Sequence, residues 1–195
     1  MKRLKRLVKQ TLGLGVGRVS LLKELPRNSI GIEIGVHKGD FSEQLLRYLC
    51  PAEFHLVDPW KHERSAVYNE AWYGGGAGGQ AEMDDRYRSV CKRFDPKIRT
   101  GQLRIHRMFS ADALKTFPDE YFDWVYIDGN HLYEFVKEDL QLSWTKTKPG
   151  GFLAGDDYTD SGWWKGGVKR AVDEFVAERR VRVIKIRDSQ FILRK

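Results

Sequence analysis

The chain has 195 residues, of which 41% are hydrophobic and 31% charged, and a formal net charge of +7. This length fits one domain, and the composition is globular, which excludes an intrinsically disordered protein. No apolar run reaches the roughly 20 residues that a membrane-spanning helix needs. Two cysteines cannot build a disulfide framework, and the N-terminus lacks the pattern of a secretory signal. We therefore expect a cytoplasmic protein.

The positive charge is concentrated at the N-terminus. Five Lys and Arg residues lie within the first nine positions, which leaves about +2 for the rest of the chain. Residues 1–12 also place four apolar side chains on one helical face. Two interpretations stay open: a surface helix docked on the domain, or a helix that contacts an anionic membrane or a partner. We divide the chain into a basic amphipathic segment, 1–27, and a domain, 28–195.

From residue 29 onward, predicted strands and helices alternate. Short apolar runs predict strands at 29–34, 54–57, 103–107, 122–127 and 151–154. Helical periodicity predicts helices at 40–49, 81–94, 111–116, 133–145 and 165–178. Two β-rich runs, 181–186 and 190–193, predict a closing hairpin that adds one antiparallel edge strand. This order predicts an α/β fold with a doubly wound, mostly parallel sheet, covered by helices on both faces.

A glycine-containing turn follows the first predicted strand. Gly35 and Gly39 let a ligand approach the backbone closely beside a helix N-terminus. Glu33 occupies the place of the first glycine of a dinucleotide-binding motif, so a pyrophosphate is disfavoured and a cationic group is favoured. Asp58 ends the second strand, where an acid can accept hydrogen bonds from ribose hydroxyls. The simpler interpretation is a close strand-to-helix turn without a ligand.

Acids and a histidine follow the fourth and fifth strands. Asp128 and His131 come after the fourth strand, and Asp156 and Asp157 come after the fifth. In a parallel sheet these residues meet at the carboxyl edge, where three carboxylates suit Mg²⁺. A divalent ion lowers the pKa of a bound hydroxyl, and His131 is then the candidate general base. Alternatively, the paired acids cap a loop and His131 is structural.

The segment 60–94 is predicted to act as a lid and to determine specificity. It contains a glycine cluster at 74–79 and six aromatic or histidine residues: Trp60, His62, Tyr68, Trp72, Tyr73 and Tyr87. Aromatic residues on a flexible loop can close over ligands and exclude water. Trp163 and Trp164 can form an opposite wall. Alternatively, some of these side chains only pack the loop onto the sheet.

Four motifs together resemble class I S-adenosylmethionine-dependent methyltransferases. These are Glu33-x-Gly35-x-x-x-Gly39, the acid Asp58, the run from Trp124 to His131, and Lys148-Pro-Gly-Gly151. The chain is most similar to metal-dependent O-methyltransferases that act on macrolide sugars and cephem hydroxyls. The resemblance implies a Rossmann-like, seven-stranded sheet with an antiparallel last strand.

The resemblance also implies roles for individual residues. Gly35 and its neighbours Val36, His37 and Gly39 would hold the methionine part of S-adenosylmethionine. Asp58 would bind the ribose. Ser110 and Ala111 would lie near the adenine, and Glu33 would organise the loop. Asp128 would contact the cofactor and, with Asp156 and Asp157, the metal.

The expected function is methyl transfer to a hydroxyl of a small, sugar-bearing or polyhydroxylated acceptor, assisted by Mg²⁺, with Asp128 and His131 as catalytic residues. One alternative is a nucleic-acid methyltransferase, although the near-neutral charge of the domain argues against a nucleic-acid partner. A second is a non-enzymatic protein that binds a membrane or partner through residues 1–12. A homo-oligomer is compatible with the sequence.

Overall fold

The computed structural model describes residues 21–76 and 78–195. The predictions for residues 1–12 therefore lie outside the described residues. Within the described ranges, no helix has the length and apolar character to cross a bilayer.

The described residues form an alternation of strands and helices. The strands are β1 (Ile30–Ile34), β2 (Glu53–Val57), β3 (Leu103–His106), β4 (Phe122–Ile127), β5 (Thr147–Gly155), β6 (Arg182–Arg187) and β7 (Gln190–Arg194). The α-helices are α1 (Asp40–Leu49), α2 (Gly79–Arg99), α3 (Ser110–Lys115), α4 (Tyr133–Lys146) and α5 (Gly167–Arg179). Every predicted strand and helix of the domain is present.

The largest difference in length concerns α2. The sequence predicted a helix over 81–94, whereas α2 extends to Arg99 and contains Pro96 in its last turns. Proline removes one backbone donor, so it usually ends a helix or kinks it. Here the apolar side chains of Met83, Val90 and Phe94 are all buried against the sheet, and this packing holds the helix in place.

The sheet contains seven strands in the described part of the chain, in the order β3-β2-β1-β4-β5-β7-β6. Strands β1 to β5 run parallel to one another, and β7 pairs antiparallel with both β5 and β6. The predicted Rossmann-like fold with an antiparallel C-terminal strand is confirmed. The expectation that the antiparallel strand lies at the edge is wrong, because β7 is internal and β6 is the edge.

The composition of the two strands explains their positions. Phe191, Ile192 and Leu193 of β7 are fully buried, as an internal strand requires. In β6, Arg182, Lys185 and Arg187 are interspersed with apolar residues, and most of the strand is exposed or half-buried. Charged side chains suit an edge strand because they oppose pairing with other chains.

The core consists of one apolar cluster on each face of the sheet. Side chains of α1 and α2 pack on one face with Trp124 and Tyr126. Side chains of α3, α4 and α5 pack on the other face with Val125 and Ile127. Leu21, Leu22 and Leu25, which precede β1, are buried in the first cluster. The side chains of successive residues of β4 therefore point to opposite faces of the sheet, which is the period-2 alternation of a strand.

A buried polar network lies between β2 and β3. His55 Nδ1 is 2.9 Å from His106 Nε2, and His55 Nε2 is 3.0 Å from Glu53 Oε1. Glu53 also accepts hydrogen bonds from Arg104 and Tyr121. Burial and the neighbouring His106 lower the pKa of His55 to about 4. At neutral pH the imidazole of His55 is therefore uncharged and satisfied by hydrogen bonds.

We predict that His55 makes folding stability depend on pH. A histidine whose folded-state pKa lies below its unfolded value stabilises the fold above about pH 6.5, and this contribution is lost as the pH falls toward the folded-state pKa. The loss should reach about 2 kcal/mol near pH 5. His55→Gln should lose less stability than the wild type between about pH 7.5 and pH 5, as measured by chemical denaturation. His62→Gln, a change in the lid, should behave as the wild type; equal losses in all three proteins would contradict the prediction.

Candidate active site at the carboxyl edge of the sheet

The site is defined by the register of four parallel strands. Ile34, the last residue of β1, pairs with Val57 of β2 and Ile127 of β4, and Ile127 pairs with Gly155 of β5. These strands therefore end at one level. The residues that follow them are Gly35, Asp58, Asp128 and Asp156, and they leave the sheet at the same edge, where open α/β sheets bind ligands.

Gly35 permits the close approach of β1 and β4 at this edge. Its φ is +90°, and a Cβ atom there would lie 1.9 Å from the backbone oxygen of Asp128. A side chain at this position would clash with the backbone of Asp128. The turn therefore requires glycine both for its positive φ and for this lack of space. The loop from Gly35 to Gly39 thereby passes directly beside Asp128.

Asp58 connects the end of β2 to this glycine loop. Its Oδ2 accepts hydrogen bonds from the backbone N–H groups of Val36, at 3.0 Å, and His37, at 2.9 Å. Its Oδ1 accepts a hydrogen bond from the N–H of Trp60, at 2.7 Å. Burial raises the pKa of Asp58, although these three donors favour its charged form. The predicted ribose-binding acid thus also organises the loop that follows β1.

Glu33 lies beneath the loop rather than on its surface. Its residue is 1% exposed, and its Oε2 accepts a hydrogen bond from the hydroxyl of Ser42 in α1. The carboxylate thus links β1 to the helix that follows the loop. This position agrees with the role of organising the loop that the resemblance implies.

Ser110 and Ala111 begin α3 at the same edge. The hydroxyl of Ser110 contacts Asp139 of α4, which is 2% exposed. Burial raises the pKa of Asp139 to about 7, although the hydrogen bond from Ser110 favours the charged form. The hydrogen bond to the buried carboxyl group of Asp139 therefore fixes the orientation of the Ser110 hydroxyl.

Asp128, His131 and Asp157 form a group that could hold a metal ion. Each offers one ligand atom, and these atoms all lie within 4.8 Å of one another. His131 Nε2 is 3.4 Å from Asp128 Oδ1 and 3.2 Å from Asp157 Oδ2. Asp156, a predicted ligand, lies beside this group but outside it, and its N–H donates to Ile127. Two carboxylate oxygens and an imidazole nitrogen are suitable ligands for a divalent cation.

The electrostatic environment of His131 is set by the acids. Burial disfavours its charged form, but the contact with Asp128 and the negative charges of Asp157 and Asp156 outweigh this effect and raise the pKa of His131. The rings of Trp163 and Trp164 flank the imidazole at centroid distances of 6.0 and 4.8 Å.

The part of the lid that precedes α2, called the lid from here on, folds over the crevice between Asp58 and the group formed by Asp128, His131 and Asp157. Trp60 is buried, and its indole N–H donates to the carbonyl of His37 at 2.9 Å. Tyr68 is also buried and lies edge-to-face with Trp163, at a centroid distance of 5.7 Å. Tyr73 contacts the same indole at 6.3 Å. The lid and the segment after β5 therefore meet as two aromatic walls, whereas Trp72 is 71% exposed.

Comparison with known proteins agrees with this geometry. Residues 32–158 match the family Methyltransf_24, a methyltransferase domain. The chain belongs to this methyltransferase family. The matched range includes the glycine loop, Asp58, Asp128, His131 and the acids after β5. A comparison with curated protein sequences finds no significant match.

Three solved structures of similar fold are described as methyltransferases. The O-methyltransferase NovP shares 20% identity, with a TM-score of 0.62 over 91% of this chain and 75% of NovP. The O-methyltransferase from Bacillus cereus in complex with SAH shares 16% identity, with a TM-score of 0.58 over 91% of this chain and 78% of that chain. A SAM-dependent methyltransferase from Aquifex aeolicus shares 15%, with a TM-score of 0.58 over 90% and 86%. The predicted resemblance to class I S-adenosylmethionine-dependent methyltransferases is confirmed.

Two further residues of the methyltransferase site were not assigned a role from the sequence. Asn130 donates from its amide to the hydroxyl of Tyr68 at 2.9 Å, and its Oδ1 accepts from the N–H of Leu132. It therefore joins the lid to the loop that carries Asp128 and His131. Arg86 of α2 donates to the carbonyl of Trp72 at 2.8 Å. Asn130 lies inside the motif around Asp128, which could have drawn attention to it, whereas no sequence pattern indicates Arg86.

Proposed function

We propose that this methyltransferase transfers a methyl group from S-adenosylmethionine to a hydroxyl of a small-molecule acceptor, with the assistance of a divalent cation such as Mg²⁺. The acceptor class we propose is a sugar-bearing or polyhydroxylated metabolite. The observation that carries the proposal is the register of β1, β2, β4 and β5, because it brings the glycine loop, Asp58 and the Asp128–His131–Asp157 group to one edge. A donor that spans this edge would have its reactive end beside the metal-ligand group.

The cofactor-binding residues would act mainly through backbone geometry. Gly35 leaves space beside Asp128, and Val36 and His37 are fixed by Asp58. The carboxylate of Asp58 retains acceptor capacity for ribose hydroxyls, since a carboxylate has about four lone-pair sites and these contacts use three. S-Adenosylmethionine supplies an already activated methyl group, so the protein needs no covalent intermediate.

The acids and His131 would prepare the acceptor hydroxyl. Asp128 and Asp157 are close enough to share a cation, and their mutual repulsion favours its binding. A divalent cation at this position would lower the pKa of the acceptor hydroxyl and orient it. With Asp128 and Asp157 as the metal ligands, the imidazole of His131, which lies between these two acids, would accept the proton from that hydroxyl.

The walls around this group support the proposed acceptor class. Tyr68, Tyr73 and Trp163 offer apolar ring faces and edges, while Asp128 and Asp157 offer polar contacts nearby. Such a mixture suits a molecule that has both an apolar face and several hydroxyl groups. Closure of the walls would also keep water away from the reacting methyl group.

Binding of S-adenosylhomocysteine is the first test of the proposal. Isothermal titration calorimetry should give a Kd of the order of micromolar for the wild type. Asp58→Ala should abolish this binding, because it removes the ribose acceptor and releases the glycine loop. Asp85→Ala removes an exposed acid of α2 that pairs with Arg88, and it should leave the affinity unchanged. Absence of binding to the wild type would refute the proposed function.

The metal is tested by a separate titration. Calorimetry with Mg²⁺ should reveal one site in the wild type that is lost in Asp157→Asn and retained in Asp160→Asn, whose carboxylate is largely exposed. EDTA should abolish methylation, and added Mg²⁺ should restore it. Full activity in excess EDTA would remove the cation from the mechanism and leave methyl transfer intact.

The role of His131 is tested by kinetics. His131→Ala should lower kcat by about 100-fold or more, which is the usual loss when a general base is removed. Its affinity for S-adenosylhomocysteine should stay within about twofold of the wild type, because the imidazole acts on the acceptor rather than the cofactor. An unchanged kcat would assign His131 a structural role only.

A further inference from the structure

Among the buried side-chain polar atoms that lack hydrogen-bond partners within the described residues, three lie on the glycine loop, the lid and α2. They are His37 Nε2, the hydroxyl of Tyr73 and Arg86 Nε. A buried donor without a partner costs free energy, so several such atoms in one region call for an explanation. A ligand that accepts hydrogen bonds would provide one.

Arg86 is held in place by its other nitrogens. Its side chain is 10% exposed, one terminal nitrogen donates to the carbonyl of Trp72, and the other pairs with Glu82. The guanidinium is therefore fixed in orientation, and its buried Nε–H is left without an acceptor. Trp72, whose carbonyl Arg86 contacts, also packs on His37 of the glycine loop, and the positive charge of Arg86 acts on both His37 and Asp58.

The other two donors are connected to Arg86 through Trp72. The ring of Trp72 packs at a tilt against the imidazole of His37, at a centroid distance of 4.8 Å, and Tyr73 is the next residue along the chain. Burial and the charge of Arg86 lower the pKa of His37 to about 4, so its ring is neutral at pH 7. Burial raises the pKa of the Tyr73 hydroxyl, and a neighbouring tyrosine hydroxyl and nearby carboxylates raise it further. The hydroxyl of Tyr73 therefore keeps its proton.

Asp58, Asp128 and Asp157 bring negative charge to the same edge of the sheet. These acids suit the ammonium and sulfonium groups of the methyl donor, but they repel the carboxylate of its methionine part. The carboxylate therefore needs a local cation and hydrogen-bond donors. One guanidinium with two neutral donors matches a single negative charge rather than the higher charge of a phosphate.

We propose that Arg86, Tyr73 and His37 form the site that binds the methionine carboxylate of the cofactor, with two of the three residues supplied by the lid and α2. This proposal rests on the proposed function, since it concerns the same cofactor. It also gives the lid a chemical role: Tyr73 would complete the cofactor site as the lid covers it. The specificity for the cofactor and the closure of the lid would then depend on the same contacts.

The test compares two ligands that differ only in this carboxylate. They are S-adenosylhomocysteine and its decarboxylated analogue, S-adenosyl-3-thiopropylamine, and both are titrated calorimetrically into the full-length protein. The wild type should bind S-adenosylhomocysteine at least about tenfold more tightly, as expected for hydrogen bonds to a charged group. Tyr73→Phe, which removes only the hydroxyl, and Arg86→Met should each reduce this preference severalfold and leave the affinity for the analogue unchanged.

Matched controls separate this role from general damage to the fold. Tyr48→Phe changes a tyrosine at the far end of α1, and Arg88→Met changes an exposed arginine of α2; both should keep the full preference. Arg86→Lys should recover part of it. If the wild type binds both ligands equally, or if the variants weaken both equally, the carboxylate site is refuted while the proposed function stands. If the wild type binds neither ligand, both proposals fall.

Discussion

The carboxylate of Asp58 is the interaction on which the arrangement of the site depends. It accepts backbone hydrogen bonds from Val36 and His37 in the glycine loop and from Trp60 at the start of the lid. One side chain thus fixes the end of β2, the loop after β1 and the entry of the lid relative to one another. Backbone donors are satisfied by the same contacts, so the loop is stable without a ligand. A preorganised loop lowers the entropic cost of binding a flexible cofactor.

The second constraint is the concentration of negative charge at the carboxyl edge. The parallel register brings Asp58, Asp128 and Asp156 to one level, and Asp157 and His131 complete the group. Neighbouring carboxylates repel one another, and a bound cation relieves this repulsion. This edge of the sheet therefore favours the binding of cations. A sulfonium donor and a divalent cation are both positive, so the same electrostatic field would favour both. Under our proposal, Arg86 would compensate for this field where the methionine carboxylate binds.

The lid contributes shape as well as chemistry. Asn130 attaches Tyr68 to the loop that carries Asp128 and His131, and Arg86 attaches Trp72 to α2. Further hydrogen bonds join Trp60 at the start of the lid to Asp58 and His37, and all of these contacts can break and reform. Gly74 allows the tight turn between these attachments, because a Cβ atom there would lie 1.9 Å from the carbonyl oxygen of Tyr68. Such a segment can open for exchange of ligands and still close in one defined geometry.

The sequence by itself determined the alternation of strands and helices, the Rossmann-like sheet, and the residues that leave its carboxyl edge. These follow from local periodicity and from the rule that parallel strands end on the same side. The sequence left open which acids meet His131. The tertiary structure groups it with Asp128 and Asp157, because the left-handed backbone of Asp157, at φ +60°, redirects the chain just after β5. It also decided that β7 lies inside the sheet and that Arg86 contacts Trp72, which packs on His37 of the glycine loop. These contacts join residues far apart in sequence through packing, and no local pattern encodes them.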